Sequence, residues 1–290
     1  MGELDLEYKI IGEGKGILVI ETGIGGSFYD WYSIVEKLKE HFTIVLYHRA
    51  GYGKSQNPIT PRTTKNIAKE LNYLLEAIGI KEKFTLMGHS FGGLCVQQYA
   101  KMYPHKLKAL VLLDSTSFDF KELYMLDTPV MKEFIAIDKM VESNINSSKK
   151  SKEELKKQNQ NIISAYENRI SEEDMKSVEE FFTSYRIHKT IAQEFENWDI
   201  DSKDIKSIKE FPQIPIVVVA RDIDLAIKEW IDYDIPEREA ILYENQWRKL
   251  QKELSEISEK GRFIIAEGSS HEIYLDRPDI IINSLNTIAL

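Results

Sequence analysis

Six short apolar runs punctuate the chain, at residues 16–21, 42–47, 83–87, 107–113, 214–220 and 262–266. Each is apolar almost throughout, with no in-and-out alternation, as a strand covered on both faces should be. Between them the apolar positions switch to helical spacing. The segment 63–78, TTKNIAKELNYLLEAI, is followed by Gly79, a good helix stop. Further helical patterns occupy 91–102, 244–258 and 278–288. Strand and helix in regular alternation predict an α/β protein with a doubly wound, mostly parallel sheet. One stretch departs from this rhythm. From 118 to 209 there is no convincing strand, only helical pieces rich in Glu, Lys, Met and Phe around a strongly polar middle, SNINSSKKSKEELKKQNQN. The expected organisation is therefore a core of residues 1–117 and 210–290 with a helical cap or lid inserted at 118–209. An insertion after a strand's C-terminal end lies over the crevice where open α/β sheets bind ligands.

Composition narrows the classes of partner. Hydrophobic residues make up 42% of 290, enough for a sizeable core. The formal charge of −9 disfavours nucleic acid or an anionic membrane as partner, since both select basic patches. The single cysteine, Cys95, excludes an internal disulfide and a cysteine zinc site, and reads as a small buried hydrophobe. The first residues lack the basic-then-apolar pattern of a signal peptide, and no apolar run is long enough to span a bilayer. The expectation is a soluble cytoplasmic protein acting on a small molecule without cofactor or metal.

The chemistry concentrates in Gly88-His-Ser90-Phe-Gly92-Gly93, between an apolar run and a helical one. Gly-x-Ser-x-Gly in that context is the strand–turn–helix elbow of a nucleophilic serine, so tight that a β-carbon at either glycine would collide with its neighbours. A serine hydroxyl is a poor nucleophile at neutral pH and needs a base within hydrogen-bond reach. Of the six histidines, His89 lies within the elbow, where adjacent side chains diverge. His41, His48 and His105 fall at element ends early in the chain, and His188 lies in the insertion. His271 follows the last apolar run in FIIAEGSSH, on a loop leaving the sheet's C-terminal edge, and is the expected base.

With these motifs the sequence resembles the α/β-hydrolase superfamily over essentially its whole length, most nearly bacterial serine hydrolases with a GHSFGG elbow. The resemblance rests on Glu21-Thr-Gly-Ile-Gly-Gly26, Tyr47-His-Arg-Ala-Gly-Tyr-Gly-Lys-Ser55, the elbow, and His271 followed by Leu275-Asp-Arg-Pro278. It implies an oxyanion hole of two backbone N–H groups, those of Phe91 and Ile24. One departure is visible: similar proteins commonly carry Asp where His48 stands, which bears on hydrogen bonding near the oxyanion loop. The Gly-rich turn is followed by no Gly-Lys-Ser/Thr or Gly-x-Gly-x-x-Gly, which argues against a nucleotide site.

Two residues compete for the acid of the triad. Asp224, with Asp222 beside it, follows run 214–220, where most of the superfamily keeps the acid; Asp114 ends run 107–113, where a minority does. Asp114 is preferred and Asp224 kept as the alternative. The resemblance implies a serine hydrolase cleaving a small carboxylic ester or lactone through an acyl-enzyme, and serine in place of aspartate at the elbow disfavours dehalogenase and epoxide hydrolase chemistry. The alternatives are a lyase such as hydroxynitrile lyase on the same scaffold, or a ligand-binding protein with vestigial catalysis. Phe118, Phe120, Tyr124, Met125, Phe134, Phe181, Phe182 and Tyr185 are candidates to line an apolar pocket, although rings at helical spacing more often pack on a core.

Overall fold

A computed structural model describes residues 4–208 and 210–289, so the expected domain limits at 1, 209 and 290 lie outside the described residues. Seven strands, β1 (Tyr8–Ile11), β2 (Gly16–Glu21), β3 (Phe42–Tyr47), β4 (Phe84–His89), β5 (Leu107–Leu113), β6 (Ile216–Ala220) and β7 (Gly261–Ile265), form one sheet in the order β1-β3-β2-β4-β5-β6-β7. All neighbours run parallel except β1 on β3. The chain winds outward from β2 to β3, then returns to β4 and winds the other way. The C-terminal ends of β2 and β4 therefore flank the point of reversal, where such sheets open a crevice.

The continuous apolar runs have a simple cause. Leu18, Ile20, Met87, Val111 and Val217 face α1 (Tyr32–Leu38) and the closing helix, while their neighbours Val19, Leu86, Leu110, Leu112 and Val218 face α2 (Thr64–Ala77) and α3 (Phe91–Met102). Both faces are covered, so neither register position is polar. Helix α2 begins at the cap Thr63, whose hydroxyl accepts from the Asn66 N–H at 3.3 Å, and ends before Gly79 at φ +81°. Strand β1 has no counterpart among the expected strands. It is a four-residue edge strand with alternating exposure, so it lacks the fully apolar signature.

Between β5 and β6 the chain is helical: α4 (Pro129–Phe134), α5 (Ile137–Ser147), α6 (Lys152–Gln158), α7 (Gln160–Ser164), α8 (Glu172–Phe182) and α9 (Tyr185–Ser207). The polar middle is itself helical. Ser151 and Glu154 form a reciprocal cap at the start of α6, and Leu155 is fully buried. A hairpin of α10 (Ile223–Asp232) and α11 (Glu237–Glu256) follows β6, so the expected helix at 244–258 begins two turns earlier and gains a partner the sequence pattern did not single out. The short α12 (Ile273–Asp276) and α13 (Pro278–Ala289) close the fold. No described helix is long and apolar enough to cross a membrane.

Candidate active site

Strand β4 runs into α3 through Ser90, whose backbone sits at φ 54°, ψ −124°, a conformation costly for a residue with a side chain. The turn is locked from both sides. Ser90 N donates to Leu113 O at 3.1 Å, and Ser90 O accepts from Gly93 N at 2.9 Å and Thr116 N at 3.0 Å. The glycines are required by packing: a β-carbon at Gly88 would lie 2.6 Å from Gly92 O, and one at Gly92 would lie 2.4 Å from Thr22 O and 2.5 Å from Glu21 O. These contacts are with backbone, which cannot swing aside. Gly92→Ala is expected to destabilise the protein by ~2 kcal/mol or more, a cost typical of overpacking, read as a Tm lowered by several degrees. An unchanged Tm would show that the turn is looser than these contacts imply.

His271 lies on the loop after β7. That loop is tied down by Asp276, whose Oδ2 accepts from Ser270 N at 2.8 Å and Ser270 Oγ at 2.6 Å, and by Asp222, whose Oδ2 accepts from Gly268 N at 2.8 Å. The Leu-Asp-x-Pro motif thus has a positioning task. His271 Nδ1 is 2.6 Å from Asp114 Oδ2, at the end of β5. Asp114 is fully buried at φ 35°. Trp247 Nε1 donates to its Oδ1 at 2.8 Å and Arg221 Nη1 to its Oδ2 at 3.0 Å. Burial alone would raise the Asp114 carboxyl, but Arg221, His271 and Trp247 outweigh it and hold the group far below the usual carboxylate range. An ionised Oδ2 only accepts, so the imidazole carries its proton on Nδ1 and leaves Nε2 free. Arg221 Nη1 and His271 Nδ1, 3.4 Å apart, are then two donors sharing one oxygen. Arg221 also binds Glu244 at 2.5 Å, which in turn accepts from Trp230 Nε1 at 2.6 Å. Asp224 is elsewhere: exposed in the first turn of α10, with its N–H donating to Asp222 Oδ1 at 2.9 Å.

Across the crevice lies the loop after β2. Gly25 N donates to Tyr52 Oη at 3.0 Å and Gly26 N to Gly23 O at 3.2 Å. Among the described residues no protein acceptor meets the N–H of Ile24 or of Phe91. Arg49 fixes the loop from behind, its Nη1 donating to Thr22 O at 2.8 Å and its Nη2 to Gly23 O at 3.0 Å. His48 is fully buried, its ring stacked on Phe28 at 3.9 Å. Phe28 N donates to Nε2 at 3.2 Å and Nδ1 meets Glu7 Oε2 at 2.7 Å. Burial keeps the ring's pKa below its ordinary value despite Glu7. The departure at this position thus serves to tie the residues after the Gly-rich loop to the start of β1. His89 Nε2 donates to His271 O at 2.9 Å, and burial, with the neighbouring His271, pushes the ring down to about 3, so it is neutral and structural.

Ser90 and His271 border two adjoining cavities. The smaller, of about 290 Å³, is walled by the Gly23-Ile24-Gly25-Gly26 loop, Asp30, Trp31, Glu272 and Tyr274. The larger, of about 360 Å³, runs beneath the inserted helices and is walled largely by rings, Phe195 and Trp198 of α9, Trp230 and Tyr233 of α10, Tyr243 and Trp247 of α11.

A family model described as alpha/beta hydrolase fold matches residues 16–226. The chain belongs to the α/β-hydrolase family. RutD of Azorhizobium caulinodans, named as a candidate carbamate hydrolase, is 31% identical over 113 residues, 39% of this chain and 42% of that protein. A cis-3-alkyl-4-alkyloxetan-2-one decarboxylase of Shewanella oneidensis is 31% identical over 116 residues, 39% of this chain and 36% of that protein. The chain thus matches well under half the length of these relatives. Among solved structures, a thermophilic esterase from Thermogutta terrifontis superposes with a TM-score of 0.65 at 18% identity, covering 100% of this chain and 96% of that one. At that identity the likeness speaks for the fold.

Within this α/β-hydrolase the cavity wall differs from the one expected. Of the seven candidate rings and Met125, only Phe120 and Tyr124 border the larger cavity. Phe181 packs on His48 and Tyr52, Phe182 on Tyr166, and Met125 is 82% exposed. The α10–α11 hairpin supplies what the inserted helices do not. Arg221, Glu244 and Trp247, which hold Asp114, were not singled out as a set; the signal was an arginine directly after an apolar strand, where an acid was sought.

Proposed function

We propose that this α/β-hydrolase is a serine hydrolase that cleaves a small carboxylic ester or lactone through an acyl-enzyme. The observation that carries the reading is Ser90, on its strained turn, bordering the same cavity as a His271 whose Nδ1 lies 2.6 Å from the buried Asp114 carboxylate. Ser90 Oγ bonds to the carbonyl carbon as its proton passes to His271 Nε2. The carbonyl electron pair moves to oxygen, where the N–H groups of Ile24 and Phe91 receive it, each such donor worth ~3 kcal/mol in the transition state. The pair then returns, the carbon–alkoxide bond breaks, and His271 gives its proton to the leaving oxygen. Water repeats the cycle on the acyl-enzyme. Asp114 holds the imidazole tautomer and balances the imidazolium. Residues 118–209 act as a cap over the core, a role supported by the way α9 roofs the larger cavity. A cytoplasmic setting suits the single buried, free Cys95.

The test is a panel of p-nitrophenyl esters and lactones with wild type and Ser90→Ala. Wild type is expected to show an initial burst of p-nitrophenol and steady turnover, and Ser90→Ala to lose about 10⁴-fold or more in kcat. Turnover without a burst, unaffected by Ser90→Ala, would exclude the acyl-enzyme. No turnover of any member, with ligand affinity intact in Ser90→Ala, would make the chain a binding protein.

A further inference from the structure

Glu229 lies on α10 in the wall of the larger cavity, beside Trp230 and one turn before Tyr233. Among the described residues its carboxylate takes no hydrogen bond or ion pair from another side chain. The nearby cation is already committed: Arg221 is bound by Asp114 at 3.0 Å and by Glu244 at 2.5 Å. The cavity and the groups directly behind it therefore hold the carboxylates of Asp114, Glu229 and Glu244 against the guanidinium of Arg221, with that of Arg248, which donates to Arg221 O at 2.6 Å, further back beside Asp114, Glu244 and Asp222. Glu272 and Asp276 add to the negative field felt at Glu229. Most of the remaining wall is π surface, with Phe195 and Trp198 at 5.1 Å and Trp230 and Tyr243 at 5.6 Å between ring centroids, and Leu123, Ile135 and Met140 fill the gaps between rings. Ring faces attract cations, most strongly where water is displaced, and a carboxylate among them adds a full counter-charge. A neutral apolar acyl chain would leave Glu229 desolvated and unpaired, and an anionic one would be repelled.

We propose that the larger cavity selects an acyl group bearing an ammonium ion, primary or quaternary, with Glu229 as its counter-charge and the rings of Trp198, Trp230 and Tyr233 as its walls. This rests on the acyl-transfer reading of Ser90 and names the class of substrate for it. Partial burial raises the Glu229 carboxyl, with Arg221 opposing, as for a group placed to gain from an incoming cation.

Two isosteric substrates isolate charge from shape, the p-nitrophenyl esters of 4-(trimethylammonio)butanoate and of 5,5-dimethylhexanoate, and the mono-p-nitrophenyl ester of adipate adds an anion of similar chain length. Wild type is expected to prefer the cation over its neutral isostere by about tenfold in kcat/KM, and to turn over the anion slowest. Glu229→Gln is expected to bring the cation-to-neutral ratio to within about threefold, and Tyr233→Ala, at a 63% exposed ring that folding does not need, to lower it in the same direction. A wild-type ratio near one, or a tenfold ratio that survives Glu229→Gln, would overturn the proposal while leaving hydrolysis in place. Should none of the three be hydrolysed, tryptophan fluorescence titration with benzyltrimethylammonium decides. Quenching that weakens about fivefold or more in Glu229→Gln would keep the cation site and remove the hydrolase reading; quenching indifferent to Glu229, or none, would remove both.

Discussion

Asp114→Asn is expected to lower kcat by about 10³- to 10⁴-fold, while Asp224→Asn leaves it within about twofold. The size of the first effect follows from the donors that converge on Asp114. Trp247 Nε1 points at one oxygen; Arg221 Nη1 and His271 Nδ1 share the other. An asparagine must turn its amino group toward one side. Facing the tryptophan, it sets two donors against each other at about 2.8 Å. Facing the histidine, it drives the imidazole proton to Nε2 and leaves Ser90 without a base. In either orientation the charge that balances the imidazolium is gone, and Arg221 keeps only Glu244. Because Arg221 holds Asp114 ionised far below the ordinary carboxylate range, acidification should not reproduce the variant's defect through this residue at any pH near neutrality. Turnover of a p-nitrophenyl ester by both variants, with matched Tm as a check on folding, measures the difference. Full activity in Asp114→Asn with loss in Asp224→Asn would move the acid to the end of β6.

What the chain discloses on its own depends on how local the cause is. The inner parallel strands are legible because burial on both faces leaves few polar positions, and β7, half-exposed at the opposite edge, still reads as a strand through Phe263, Ile264 and Ile265, whereas β1 keeps an ordinary alternating pattern. The Ser90 turn is legible because its constraint acts over two residues on each side. The competition between Asp114 and Asp224 cannot be resolved that way, since both follow apolar strands and only the fold brings one of them to His271. Arg221 is the instructive omission. It stands next to Asp222, within the segment where an acid was sought, yet its partners Asp114 and Glu244 are 107 and 23 residues away. Rings fail for a related reason. Helical spacing identifies a buried face, but whether that face meets a cavity, as Trp198 does, or a packed layer, as Phe181 does, is set by the neighbouring helix.

Arg49→Met is expected to destabilise the protein by about 3–5 kcal/mol at pH 7, a fall in Tm on the order of 10 °C. The guanidinium is 1% exposed and bridges Glu21 at the end of β2, at 2.6 Å, to Glu194 on α9, at 2.9 Å; these carboxylates are 1% and 0% exposed. Tyr52 Oη also donates to Glu194, at 2.6 Å. Removing the cation leaves two buried carboxylates facing each other, and burial already raises Glu21 even with Arg49 opposing. In the variant the Glu21 carboxyl, already raised by burial, must take up a proton to stay buried, so the folded state binds more protons than the unfolded chain. Stability then rises as pH falls, by up to ~1.4 kcal/mol per unit for this carboxylate, and the Tm deficit against wild type should shrink between pH 7 and pH 5. Arg49 also holds Thr22 O and Gly23 O, so the loop carrying the Ile24 amide loses its backing and kcat should fall alongside stability. A deficit that stays constant from pH 7 to pH 5 would mean that water, and not proton uptake, compensates the two carboxylates. A Tm equal to wild type would mean that α9 is not held on the core through this ion bridge.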